Sequence, residues 1–167
     1  PDGKLRFHFD PGTRYSYSGD GIILLQFVLE KGLGLDVGNE MQRRVFEPLA
    51  MTDSSLIWRD DFSGRAADGW EADGKLVPHD DRSSVRAAGS MDSTIADVSR
   101  LAAAIVGGDL ISPSARMALS DAQLPISSAS QFPTLQADAK PGMQVKGLAA
   151  GLGGGVPGDP RELGRHA

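Results

Sequence analysis

Residues 22–31 read Ile-Ile-Leu-Leu-Gln-Phe-Val-Leu-Glu-Lys, apolar on nearly every side of a 3.6-residue helix and broken only by Gln26. All-round apolarity predicts a helix lying within a core rather than on it. Gly32 and Gly34 predict its end. Burying its seven apolar side chains at roughly 1.5–3 kcal/mol each gives a gross transfer term on the order of 10–20 kcal/mol, an upper bound. Asp36 then serves as the cap of a second helix in which Val37, Met41 and Val45 recur at i, i+4 and i+8. Pro48 ends it near Glu47, and Glu40, Arg43 and Arg44 point outward. Upstream, the alternation of residues 4–9 predicts a short strand, Asp10-Pro11-Gly12 a turn, and Tyr15-Ser16-Tyr17 an extended segment.

Further along, Leu56-Ile57-Trp58 predicts a strand, and residues 69–77 a hairpin turning at Asp73-Gly74. The polar residues 78–84 follow as a loop. Thr94 with Asp97 three positions on predicts a capped helix whose Ile95, Val98, Leu101, Ala102 and Ile105 share a face, closed by Gly107-Gly108. Ser112-Pro113 opens a shorter helix, with proline at the first helical position. Residues 125–142, rich in Ser, Pro and Gln, predict a long loop. Residues 147–156 are glycine-dense and suit a strand. There is no internal repeat, and no linker divides the chain.

Composition narrows the function classes. The 167 residues are 40% hydrophobic and 23% charged, ordinary globular values. Seventeen basic against 22 acidic residues give a net charge of −5, and no basic block occurs, so neither nucleic acid nor an anionic membrane is an expected partner. The longest apolar run falls far short of the roughly 20 residues that span a bilayer. Without cysteine there is no disulfide, no thiolate nucleophile and no Cys-ligated zinc. The compartment stays open between cytoplasmic and periplasmic or secreted. Pro1-Asp2-Gly3-Lys4 has neither an initiating Met nor a signal-peptide pattern, so an N-terminal part outside these residues is expected.

Candidate chemistry centres on Pro11-Gly12-Thr13-Arg14-Tyr15-Ser16-Tyr17-Ser18-Gly19-Asp20-Gly21. A tyrosine at the mouth of a helix can carry a proton when a nearby cation lowers its pKa from about 10. The competing reading is a half-buried tyrosine with a hydrogen-bonded hydroxyl. Ser18 suits a helix cap as well as a substrate contact. His8-Phe9-Asp10 and His79-Asp80-Asp81 lack the spacing of a metal site. Gly151-Leu152-Gly153-Gly154-Gly155 is not a phosphate loop, because Pro157 and Pro160 follow instead of a helix. Gly89-Ser90 is not a nucleophile elbow. No cofactor and no metal are expected.

The run resembles the serine β-lactamase and penicillin-binding protein superfamily, especially its class C β-lactamase and esterase-like branch. Tyr17-Ser18-Gly19 falls on the Tyr-x-Asn motif, with Gly19 where Asn is usual. Phe46-Glu47-Pro48-Leu49-Ala50-Met51 falls on a second signature, with Ala50 where Gly is usual. Residues 87–101 resemble a third, A-G-G-L-x-S-T-x-x-D-L-A-R-F. The resemblance implies an α+β, β-lactamase/DD-peptidase-like fold, here partial: mainly the helical subdomain with adjoining antiparallel strands. Residues 1–167 would be one partial domain lacking the nucleophile segment and the C-terminal strands.

It also implies hydrolysis of an ester or amide through an acyl-serine intermediate, with a small carboxylic ester preferred over a β-lactam or D-amino-acid peptide. By resemblance Tyr17 is the catalytic residue, and Ser18, Gly19 and His166 are substrate-binding. His166 would belong to a final His-x-Gly motif. The family's Ser-x-x-Lys is missing: Pro1, Val28, Ala72, Ala137 and Met143 stand three before Lys4, Lys31, Lys75, Lys140 and Lys146. Partners implied are the small-molecule substrate and a complementary segment or a second copy of the chain. The rival from another class is a non-catalytic binding or regulatory relative of the same fold.

Overall fold

The computed structural model describes residues 4, 7, 9–13, 15–126, 148–152 and 155–157. By contacts the chain divides into two units, residues 19–110 and residues 1–18 with 111–167.

In residues 19–110, helix α1 (Gly19–Phe27) runs into a wider π-helical turn (Val28–Gly32). The turn closes where Leu33 N and Leu35 N both donate to Leu29 O, with Gly34 at φ +67° in the left-handed region. The helix forms where the apolar run predicts it, but its burial does not follow. Ile22, Ile23, Leu25, Phe27 and Val28 are all exposed, from 39% to 58%, and no residue of α1 is buried. Helix α2 (Val37–Met41) is capped as expected, Asp36 Oδ1 accepting from Asn39 N at 2.8 Å. Another π-helical turn (Gln42–Phe46) ends at Glu47, immediately before Pro48. Val37, Met41 and Val45 are half-buried on one face. Beside them, Glu40 takes hydrogen bonds from both Arg43 and Arg44.

The core of this unit contains Phe46, Met51, Phe62 and Ala104. Phe62 ends a short 3-10 turn (Asp60–Phe62). Leu56-Ile57-Trp58 is not the strand its apolar content predicts. Only Ser55 bridges Asp92, exchanging backbone bonds of 3.0 and 2.9 Å, and Trp58 N donates to Arg82 O. Trp58 is instead held by rings, edge-on to Phe62 and stacked on His79 at 5.4 Å. Strands β1 (Gly69–Trp70) and β2 (Leu76–Val77) form the expected antiparallel hairpin. Gly74, at φ +84°, makes the turn, and Asp73 Oδ1 accepts from Lys75 N.

Helix α3 (Ile95–Gly107) starts on Thr94, whose Oγ1 accepts from Asp97 N, and stops at left-handed Gly108. Gly108 N and Asp109 N both donate to Ala104 O, a Schellman closure. Its inward face differs from the expected stripe. Asp97 and Ala104 are buried with Leu101 and Ile105 half-covered, while Ile95 is 84% exposed and Val98 39%.

In the other unit, helix α4 (Pro113–Ser120) is capped by Ser112, whose Oγ accepts from Ala115 N. Strands β3 (Leu124–Pro125), β4 (Leu148–Ala150) and β5 (Gly155–Pro157) form an antiparallel sheet in chain order. The glycine-dense stretch is thus two strands rather than one. Ile126, Ala149 and Ala150 are buried. Of residues 4–9, Lys4, Phe7 and Phe9 are described, and none lies in a strand. Of the loop expected over residues 125–142, residues 127–142 lie outside the described residues.

Candidate functional site

The approach to Tyr17 is set by the turn at Asp10-Pro11-Gly12. Pro11 supplies a fixed φ, Gly12 lies at φ +80°, and Thr13 N closes onto Asp10 O at 3.2 Å, with Thr13 Oγ1 reaching the same oxygen at 2.6 Å. Residues 15–18 follow without regular structure, and α1 begins at Gly19, directly after Tyr17 and Ser18. Tyr15 is half-buried, whereas Tyr17 is 43% exposed. Gly19 is half-buried, and a Cβ placed on it would meet the Ala88 methyl at 3.9 Å, an ordinary contact. The three consecutive motif residues are therefore described. His166 lies outside the described residues.

The second and third signatures turn out to be built into the fold. Phe46 and Met51 are 3% and 2% exposed, and Met51 N donates to Phe46 O at 2.8 Å. Between them Ala50 sits at φ +50°, the left-handed conformation that costs a residue with a Cβ about 1–2 kcal/mol. That backbone explains glycine as the family's usual residue there. In the third signature, buried Ser90 accepts from Arg86 N at 2.9 Å. Arg82, half-buried, joins Asp92 at 2.7 Å and the Ser90 carbonyl.

Two polar groups that the sequence reading did not nominate organise residues 19–110. Asp97 is 1% exposed, and its Oδ2 accepts from Asp53 N at 2.9 Å and from Ser54 Oγ at 2.8 Å. Its Oδ1 takes a charge-assisted bond from Arg100. With the Ser54 proton given to Asp97, Ser93 Oγ donates to Ser54 Oγ at 2.7 Å. This ties the loop after Met51 to the first turn of α3. The second is Gln26, whose Nε2 donates to Val85 O and to Glu30 Oε1 while its Oε1 accepts from Ala87 N. Gln26 was visible as the single polar break in an apolar run. Asp97 was visible only as a capping partner.

A group of surface charges pairs around Phe62. Arg59 and Arg65 both join Asp61, and Arg65 also joins Asp53 at 2.9 Å, with the Arg59 guanidinium 4.8 Å above the Phe62 ring. The Arg59 hydrogen bond holds the Asp61 carboxyl below its ordinary range against an opposing desolvation. Glu40 is likewise held low, chiefly by Arg44 and then Arg43. Among the described residues, no group of three His, Cys, Asp or Glu side chains is placed to hold a metal ion, and no helix is long and apolar enough to cross a membrane. An open hollow of about 570 Å³ is bordered by Phe7, Phe9, Asp10 and Pro11, none of them a nominated site residue.

These helices and small antiparallel sheets correspond to part of the β-lactamase/DD-peptidase fold. A penicillin-binding protein from Bacillus halodurans matches with a TM-score of 0.65 at 20% identity, over 91% of this chain and 43% of that one. A β-lactamase/D-alanine carboxypeptidase from Pseudomonas syringae matches with a TM-score of 0.60 at 19% identity, over 89% of this chain and 37% of that one. The Beta-lactamase family profile matches residues 3–158, and the chain belongs to that family. A human protein, beta-lactamase-like 1, is 37% identical over 100 residues, which is 59% of this chain and 20% of the human one. The chain thus spans about a fifth of that relative's length, and less than half of either solved chain.

Proposed function

We propose that residues 1–167 form the tyrosine-bearing part of a serine hydrolase that cleaves an ester or amide through an acyl-serine intermediate, with a small carboxylic ester preferred over a β-lactam or D-amino-acid peptide. The observation carrying this reading is Tyr17-Ser18-Gly19 at the head of α1, inside the span matched by the family, with the Tyr17 ring open to solvent rather than sealed in a core. A polypeptide segment outside these residues supplies the serine and lysine of Ser-x-x-Lys. In the acylation step Tyr17, acting as general base, takes the serine proton while Oγ bonds to the substrate carbonyl carbon. It then returns that proton to the leaving alkoxide as the ester C–O bond breaks. Water repeats the sequence to release the acid. Ser18, Gly19 and His166 contact the substrate, His166 as part of a final His-x-Gly motif.

Gly19 brings no side-chain amide, so the hydrogen bond an Asn would offer to the acyl side is lost or made by backbone. A non-catalytic binding relative is the second reading, favoured by the missing Ser-x-x-Lys and by Gly19. Tyr17→Phe in the full-length protein separates the two. It is expected to lower kcat on p-nitrophenyl acetate by a factor of about 10² or more with the melting temperature nearly unchanged. An unaltered rate would make Tyr17 a packing residue and remove the reading. Residues 1–167 alone are expected to turn over neither p-nitrophenyl esters nor nitrocefin.

A further inference from the structure

Helix α1 is inverted relative to its composition: its apolar side chains are largely exposed, while its one interior polar residue, Gln26, is half-buried. The amide is fully engaged with a segment 59–61 residues away, giving to Val85 O at 3.1 Å and taking from Ala87 N at 2.9 Å. Accepting from one backbone N–H and donating to a backbone carbonyl two residues before it, the amide works as a two-pronged clamp. The clamped segment is constrained from its other end too, by Arg86 N donating to Ser90 Oγ and by Gly89 N and Ser90 N donating to Arg86 O.

Gly19 lies seven residues before Gln26, two turns earlier on the same face and about 10 Å along the axis. Ala88 follows the clamped Ala87 directly, within the turn that Gly89 N and Ser90 N close onto Arg86 O. Among the described residues, and apart from its chain neighbours and its own helix, a Cβ at Gly19 would meet the Ala88 methyl, at 3.9 Å.

We propose that Gln26 is a positioning residue, fixing residues 85–88 along α1 so that Ala88 forms the wall beside Gly19 and limits the size of the group bound there. The clamp stands on the hydrogen bonds alone; the selectivity rests on the proposed hydrolase reading. Gly19 has no side chain and Ala88 contributes one methyl, so the wall admits a compact acyl group next to the motif. A larger side chain at position 88 would close it.

Two measurements test this. In the 167-residue chain, Gln26→Met keeps the helix and the length of the side chain but removes both bonds. The Ala87 amide is expected to exchange with deuterium about tenfold faster, the equivalent of one lost hydrogen bond; unchanged exchange overturns the clamp. In the full-length enzyme, Ala88→Leu is expected to lower kcat/KM for p-nitrophenyl hexanoate about tenfold relative to p-nitrophenyl acetate, through KM with kcat held, and Gln26→Met to blur that preference. A hexanoate-to-acetate ratio that neither change moves, in an enzyme that Tyr17→Phe disables, overturns the selectivity and leaves the hydrolase reading intact. If Tyr17→Phe changes nothing, the hydrolase reading fails, and the exchange experiment still decides the clamp.

Discussion

Replacing Asp97 with Ala removes the acceptor for two donors in a place water does not reach. Asp97 is 1% exposed and Ser54 2%, and a single oxygen, Oδ2, serves both Asp53 N and Ser54 Oγ. Each buried donor left without an acceptor costs about 1–3 kcal/mol, so Asp97→Ala is expected to destabilise by about 2–6 kcal/mol. That is a large share of the roughly 5–15 kcal/mol that holds a domain folded. Asp97→Asn keeps one oxygen for the two donors and turns its amide toward Arg100, whose half-exposed side chain can swing into solvent. A cost of about 1–2 kcal/mol follows. Arg100→Ala leaves the two buried bonds in place but takes the cation from beside a carboxylate that is 1% exposed, and should cost about 1–3 kcal/mol, less than Asp97→Ala. Urea unfolding followed by far-ultraviolet circular dichroism measures all three as shifts in midpoint. Asp97→Ala is expected to shift it furthest. If Arg100→Ala were as damaging as Asp97→Ala, the ion pair rather than the two buried donors would hold the loop to α3, and the reasoning would be refuted.

Two further outcomes follow from local geometry. Ala50→Gly relieves a left-handed residue at an exposed position, offset in part by the added freedom of the unfolded chain. A net gain of about 0.5–1 kcal/mol is expected, and a lowered urea midpoint would contradict it. Glu40 and Asp61 titrate below their ordinary values near 4.5 and 3.8 because arginines favour their charged forms. Depressed folded values mean that their stabilisation is complete above the unfolded pKa and is lost as pH falls through the lower folded one. The stability difference between the native chain and Glu40→Gln should therefore shrink with acidification below about pH 4.5. A difference that grows on acidification would show that the arginines do not hold the carboxylate.

Signals contained in a few neighbouring residues were legible in the chain itself. Asp36, Thr94 and Ser112 each cap the helix they announce, Asp73-Gly74 turns the hairpin, and Gly34 and Gly108 end their helices in the left-handed region. Burial was less legible, because periodicity reports how apolar a face is and not what lies against it. Hence α1 is a helix but exposes Ile22, Leu25 and Phe27, and α3 turns Asp97 inward where Ile95 and Val98 were expected. Trp58 shows a related gap. Its β-favouring neighbours suggested a strand, but ring contacts with Phe62 and His79 satisfy it without a ladder. At the candidate site, the tyrosine motif could be read from residue order, while the Gln26 clamp requires knowing that residues 85–87 return to α1.

The stack of Trp58 on His79 has a practical consequence. The imidazole lies 5.4 Å from the indole and its Nε2 meets Asp68 at 3.1 Å, whereas the other indole, Trp70, is 63% exposed on the hairpin. Because the imidazole covers one face of the indole, emission from Trp58 serves as a built-in optical gauge of whether the polar segment after the hairpin is seated. With Trp70 replaced by Phe, that gauge reads a single place in the molecule.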